Sequence, residues 1–123
     1  GVIIMFSPVE IRNAVITKAI ISNDDHGMLT AWAHLDYGGS GQGFGGYALY
    51  LPKDFRHSTN QKNYAGHFIW RVMEVAGVTE WESLAGKTIR VKADYGKVHA
   101  IGHIIKDDWF DPSQDFQAME KTK

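Results

Sequence analysis

The chain contains no cysteine at all. This excludes a disulfide framework, thiolate metal sites and thiol chemistry, and it suits a reducing compartment, so the cytoplasm is the expected location. Charge of one sign is also missing: thirteen Lys and Arg stand against fourteen Asp and Glu, for a formal net charge of −1. Nucleic-acid binders ordinarily carry a basic excess, so no DNA partner is expected. No long apolar run occurs. The opening Gly1-Val2-Ile3-Ile4-Met5-Phe6 is too short to span a bilayer and lacks the charged region and cleavage site of a signal peptide. We read residues 1–8 as an irregular extension, no membrane partner being expected, and residues 9–123 as a single domain.

Catalytic and metal-binding signatures are missing too. No serine is flanked as G-x-S-x-G, and no H-E-x-x-H or H-x-x-E-H run occurs among the six histidines. His99 and His103 lie four residues apart on an expected strand, roughly 13 Å, too far for one ion to bridge. The reading is therefore of a protein that is not an enzyme, with no catalytic residue, no metal and no cofactor.

What is present is an ordinary globular composition, 44% hydrophobic and 22% charged over 123 residues, enough for one core. Period-two alternation marks strands over Val9–Ile21, Met28–Tyr37 and Tyr47–Leu51. From Gln61 to Ala76 the period becomes helical, and Gly77 stands where a helix C′ glycine belongs. Thr79 and Glu82 have capping-box spacing for a short helix, and Asp111-Pro112 opens a closing helix to about Glu120. A second hairpin is expected over Thr88–Asp94 and Lys97–Lys106. The fold class is thus α+β: an antiparallel sheet of about five strands, meander plus C-terminal hairpin, with one main helix, a short helix and a C-terminal helix.

Six glycines fall between Gly38 and Gly46. The run Gly41-Gln42-Gly43-Phe44-Gly45-Gly46 matches G-x-G-x-x-G, but a strand and then Pro52 follow where a dinucleotide-binding fold needs a helix. Two readings stay open. One is a wide hairpin loop whose amides approach an anionic ligand while Phe44 and Tyr47 stack on a base; the other is a flexible bulged hairpin that binds nothing. A two-residue turn at Tyr95-Gly96 would pair 92 with 99 and 90 with 101. Ile89, Val91, Ala93, Val98, Ala100, Gly102 and Ile104 then face the core, and Thr88, Arg90, Lys92, His99, Ile101 and His103 form a cationic stripe. That stripe either meets a phosphorylated small molecule or is a plain solvated face. Trp70 lies on the polar side of the main helix with His67, Arg71 and Glu74, a pattern that suggests an interface and a homo-oligomer. Trp109 either caps the core or walls a pocket.

Four stretches, Asp25–Trp32, Gly41–Leu49, Thr88–Val91 and Ala100–Phe110, resemble a family of small phage-encoded proteins over roughly residues 11–116. The family is the anti-Thoeris family, Thoeris anti-defence protein one, whose members soak up the cyclic ADP-ribose isomers made as an alarm by bacterial TIR-domain enzymes. The resemblance implies sequestration without cleavage inside the infected bacterial cell. It also implies a homo-oligomer, a dimer or assembly of dimers, with cyclic nucleotide pockets near the protomer boundary; some members also hold cyclic oligonucleotides. In that frame the ligand-binding candidates are Gly43, Phe44, Gly45, Gly46, Tyr47, Arg56, Arg71, Arg90, His103 and Trp109. Two other readings stand beside it, a protein-binding inhibitor using Trp70 and a phosphodiesterase using the histidines.

Overall fold

The structure is a computed structural model, and it describes residues 8–25, 27–48, 64–94 and 96–121. Strands β1 (Glu10–Asp25), β2 (Met28–Tyr37) and β3 (Ser40–Ala48) precede helix α1 (Tyr64–Ala76). A 3-10 turn (Trp81–Ser83) leads to β4 (Thr88–Ala93), β5 (Val98–Gly102), the two-residue β6 (Trp109–Phe110) and helix α2 (Pro112–Lys121). All pairings are antiparallel in one six-stranded sheet of order β3-β2-β1-β4-β5-β6. The α+β class holds, with six strands in place of about five; the extra one is the short β6.

Alternation builds the core. Ile16 on β1, Ala31, Ala33 and Leu35 on β2, and Ile89 and Val91 on β4 are buried, while Ile11, Val15, His34 and Asp36 point to the opposite, exposed face. Helix α1 lays Ala65, Phe68, Val72 and Val75 on the inner face. Phe68 is fully buried between Phe44 and Phe110, with ring centroids 5.5 and 5.9 Å away. Pairs of this kind add about 0.5–1.5 kcal/mol each beyond area burial. Among the described residues no element covers the outer face of the sheet.

The helix ends follow their local chemistry, with one exception. At the end of α1, Gly77 takes φ 77° and its N–H reaches Glu74 O at 3.2 Å, while the Val78 N–H reaches Met73 O at 3.0 Å, the paired bonds of a Schellman cap. Asp111 caps α2 by accepting the Gln114 N–H at 3.2 Å, with Pro112 as the first helical residue. The Thr79–Glu82 capping box does not form. The segment tightens to a 3-10 turn that begins one residue later, with Glu80 as the capping residue and no side-chain cap bond.

Two further expectations are corrected. There is no wide glycine loop: Gly38 and Gly39, at φ 68° and 84°, make a two-residue hairpin turn, and the remaining glycines run inside β3, paired with β2 from Tyr37↔Ser40 to Thr30↔Ala48. In the second hairpin the partners are Arg90↔Gly102, Val91↔Ile101, Lys92↔Ala100 and Ala93↔Val98. His99 is the extra residue of a bulge, and beyond it the register slips by one. Ile101 is accordingly fully buried, Ala100 and Gly102 move to the face of Lys92 and Arg90, and β5 ends at Gly102, before His103 and Ile104.

Candidate functional site

The glycines of β3 are seats for rings. A Cβ on Gly43 would stand 3.0 Å from the Trp32 indole and one on Gly46 only 2.6 Å from it, so the indole lies flat over both on the outer face. Gly45, at φ 123°, faces inward, where a Cβ would meet the Phe68 ring at 2.6 Å and the Ala31 carbonyl oxygen at 2.7 Å. Strand glycine of this kind serves close approach by another group, here the protein's own aromatics.

Gly43 and Gly46 therefore face away from Phe44 and Tyr47. Phe44 is 5% exposed in the core. Tyr47 is half-buried between Phe68 and Phe116, at ring distances of 5.2 and 5.0 Å. Burial, and then the Asp111 charge, raise the Tyr47 pKa, so its hydroxyl is a neutral donor.

The basic candidates are tied to backbone and carboxylates. The Arg71 guanidinium, reaching out from α1, donates to the Trp109 carbonyl at 2.7 Å and to Asp108 at 3.3 Å; it also bonds Glu74 and lies 3.5 Å from Asp115. Burial works against its charge, but Glu74 and Asp108 outweigh burial and raise its pKa. Arg90 donates to the carbonyls of His103 and Lys106, both at 2.8 Å, and so closes the β5–β6 turn. Within that turn His103 Nδ1 accepts the Ile105 and Lys106 amides at 3.0 and 2.9 Å. Trp109 rests on Gly102, with Lys92 Nζ 4.3 Å and the Arg90 guanidinium 4.9 Å from its ring. Arg90 and Trp109 thus share the outer face, opposite Phe44 and Tyr47. Arg56 lies outside the described residues.

Three of the ten candidates, Phe44, Gly45 and Tyr47, do meet at a cleft of about 770 Å³ between β3, the start of β5 and the first turn of α2. The other walls come from Lys97, His99, Ser113, Gln114 and Phe116. Phe116 and Tyr47 give a ring-lined wall. Lys97, His99 and the positive end of α2 also line the cleft, tempered by the Asp111 carboxylate at that same helix end. The His99 Nε2 lies 2.6 Å from Asp94 Oδ2, and that bond, with the Gly96 amide bond, lowers the Asp94 pKa. This combination suits an anionic molecule with a flat ring, and its volume is that of a small-molecule site.

Sequence reasoning missed Lys97, Phe116 and the α2 terminus as parts of one site. Asp111-Pro112 did announce a helix start, but only tertiary packing brings it to β3. It placed His99 beside Arg90 and Lys92; the bulge turns His99 away from them toward Asp94 and the cleft. Among the described residues no group of three His, Asp or Glu side chains is placed to hold a metal ion, and no helix is long and apolar enough to cross a membrane. No family model matches the chain, nor does any curated protein or solved structure.

Proposed function

We propose that the protein binds a cyclic nucleotide immune signal, a cyclic ADP-ribose isomer or a cyclic oligonucleotide, and sequesters it uncleaved as a phage counter-defence protein in the infected bacterial cell. The observation that carries this reading is the β3–α2 cleft, whose lining brings Tyr47 and Phe116 together with Lys97, His99 and a helix N-terminus. The purine stacks on Tyr47 or Phe116, and the pyrophosphate faces Lys97 and His99. This is a narrower site than the resemblance implies, because Arg71 and Arg90 hold backbone carbonyls within the protomer. Homo-oligomerisation belongs to the same proposal.

A thermal-melt series with cyclic ADP-ribose isomers and cyclic dinucleotides tests it. A ligand at a hundredfold excess over Kd adds about 2.7 kcal/mol to stability, and heat should release it chemically intact. Lys97→Glu should abolish the shift while leaving the unliganded melt in place. No shift with any cyclic nucleotide, or recovery of a linear product, overturns the reading. Trp70, 55% exposed on α1, supports a second reading, a protein-binding inhibitor of a host defence complex. A stoichiometric host partner lost in Trp70→Ala, without any nucleotide shift, would favour it.

A further inference from the structure

A sheet's outermost strands present hydrogen-bonding groups that proteins shield by shortness, charge, proline or strong twist. The two rims of this sheet differ in that respect. The β6 rim is two residues long and follows Lys106, Asp107 and Asp108. The β3 rim, SGQGFGGYA, is nine residues long and contains neither a charged residue nor a proline. Among the described residues no strand pairs with its outward side.

The register says which groups point outward. A two-residue turn with both residues at positive φ makes Tyr37↔Ser40 a hydrogen-bonded pair. Along an antiparallel ladder such pairs alternate with pairs that do not exchange hydrogen bonds. Leu35↔Gln42 and Ala33↔Phe44 are therefore bonded, and Asp36↔Gly41 and His34↔Gly43 are not. The N–H and C=O of Gly41 and Gly43 are thus aimed away from β2, outward from a rim that no other described strand pairs with.

We propose that β3 pairs antiparallel with β3 of a second copy of this chain, joining two sheets into one across a two-fold axis near Gln42. Self-complementarity selects this occupant. In that register Gly41 of each copy exchanges two hydrogen bonds with Gly43 of the other, and Gln42 meets Gln42. No charge faces a like charge at the seam, because β3 has none. Gly45 and Gly46, at φ 123° and 91°, end the regular stretch and limit the pairing to the turn-proximal half of β3.

Sedimentation of the full chain across a concentration series, with amide exchange followed residue by residue, tests this. A dimer should form, and the Gly41 and Gly43 amides should be protected only at concentrations where it does. Gly41→Pro removes an outward N–H and no bond to β2, and a Cβ there meets only ordinary contact, 3.8 Å from Leu35 O. It should raise the dimer dissociation constant at least about tenfold while the far-UV spectrum stays native. If that variant fails to fold, Gly41→Lys, which places a charge on the rim, should do the same. A chain monomeric throughout the series overturns the proposal. So does a dimer that survives the folded variant, or one whose Gly41 and Gly43 amides exchange as fast as in the monomer. Protection of those amides only when a foreign peptide is added would also overturn it, by assigning the rim to a different partner.

Discussion

At each end of the sheet an indole lies on glycine, and the two ends are built differently. At the β5–β6 end, Trp109 sits on Gly102, carries Lys92 and Arg90 against its ring, donates its indole N–H to Asp107 at 3.0 Å, and has its carbonyl held by Arg71. At the β2–β3 end, Trp32 sits on Gly43 and Gly46 with His34 as its stacked neighbour, at 6.4 Å between centroids. The first ring is fixed by ionic and hydrogen-bonded partners on several elements. The second is held chiefly by the shape of the strand beneath it. The same residue pairing can therefore serve as a rigid pin or as a softer cover, depending on what surrounds the ring.

The largest effect is expected at the one β3 glycine that faces inward. Gly45→Ala places a methyl 2.7 Å from a backbone carbonyl and 2.6 Å from the Phe68 ring, at a φ that alanine rarely adopts. Strain and overpacking together should cost about 3 kcal/mol or more in urea unfolding. Gly43→Ala meets only the Trp32 ring, at 3.0 Å, and should cost about 1 kcal/mol, since that indole can shift outward. Equal losses at the two positions would mean that the β2–β3 end is as rigid on its outer face as inside.

A smaller effect, which separates the two indoles directly, comes from Gly102→Ala. Its Cβ would stand 2.5 Å from the Trp109 ring, and the cations around that ring resist its displacement. A loss of about 2 kcal/mol is expected. In a Trp109→Ala background the same substitution should cost almost nothing, so the double-mutant cycle should show a coupling of about 1.5–2 kcal/mol. The matching cycle between Gly43→Ala and Trp32→Ala should give less than half of that. A reversal would show that the ionic partners do not pin Trp109.

These pairs also explain what could be read in the chain and what could not. The stripe Ala65, Phe68 and Val72, the cap at Gly77 and the start at Asp111-Pro112 are local signals, and each marks the element it should. The alternation of β2 likewise gave Leu29, Ala31, Ala33, Leu35 and Tyr37 as one core face; the last four are buried, and Leu29, near the start of the strand, is exposed. Gly41–Gly46 read as a loop because glycine has poor strand propensity. What makes the segment a strand is a tryptophan on its neighbour, a cross-strand relation that no local window contains. The β4–β5 register failed for a related reason, since the bulge at His99 leaves no mark in the alternation. Of the candidate residues, Phe44, Gly45 and Tyr47, picked out as aromatic and glycine chemistry, do line the β3–α2 cleft. Arg71 and Arg90 have the same chemistry but spend it on carbonyls of β6 and the preceding turn, partners that exist only once the sheet is closed.

The smallest expected effect is a pH dependence at the β4–β5 turn, which borders the cleft beside β3. Asp94 has its pKa lowered by the hydrogen bond from His99 and by the Gly96 and Lys97 amides at 2.9 and 3.0 Å. A carboxyl whose folded-state pKa is depressed contributes stability at pH values above its unfolded value of 3.8, and that contribution disappears as pH falls through the folded-state value. Asp94→Asn keeps an oxygen for the two amides and removes the charge beside His99. Melts of the two proteins should therefore differ at pH 5 to 6, and the difference should shrink as pH falls below 3.8. Protection of the Gly96 and Lys97 amides, taken relative to the intrinsic exchange rate at each pH, should fall as Asp94 takes up its proton, because its Oδ1 accepts both amides. A mutant gap that does not narrow as pH falls below 3.8 would show that Asp94 acts at this turn through shape and not through charge.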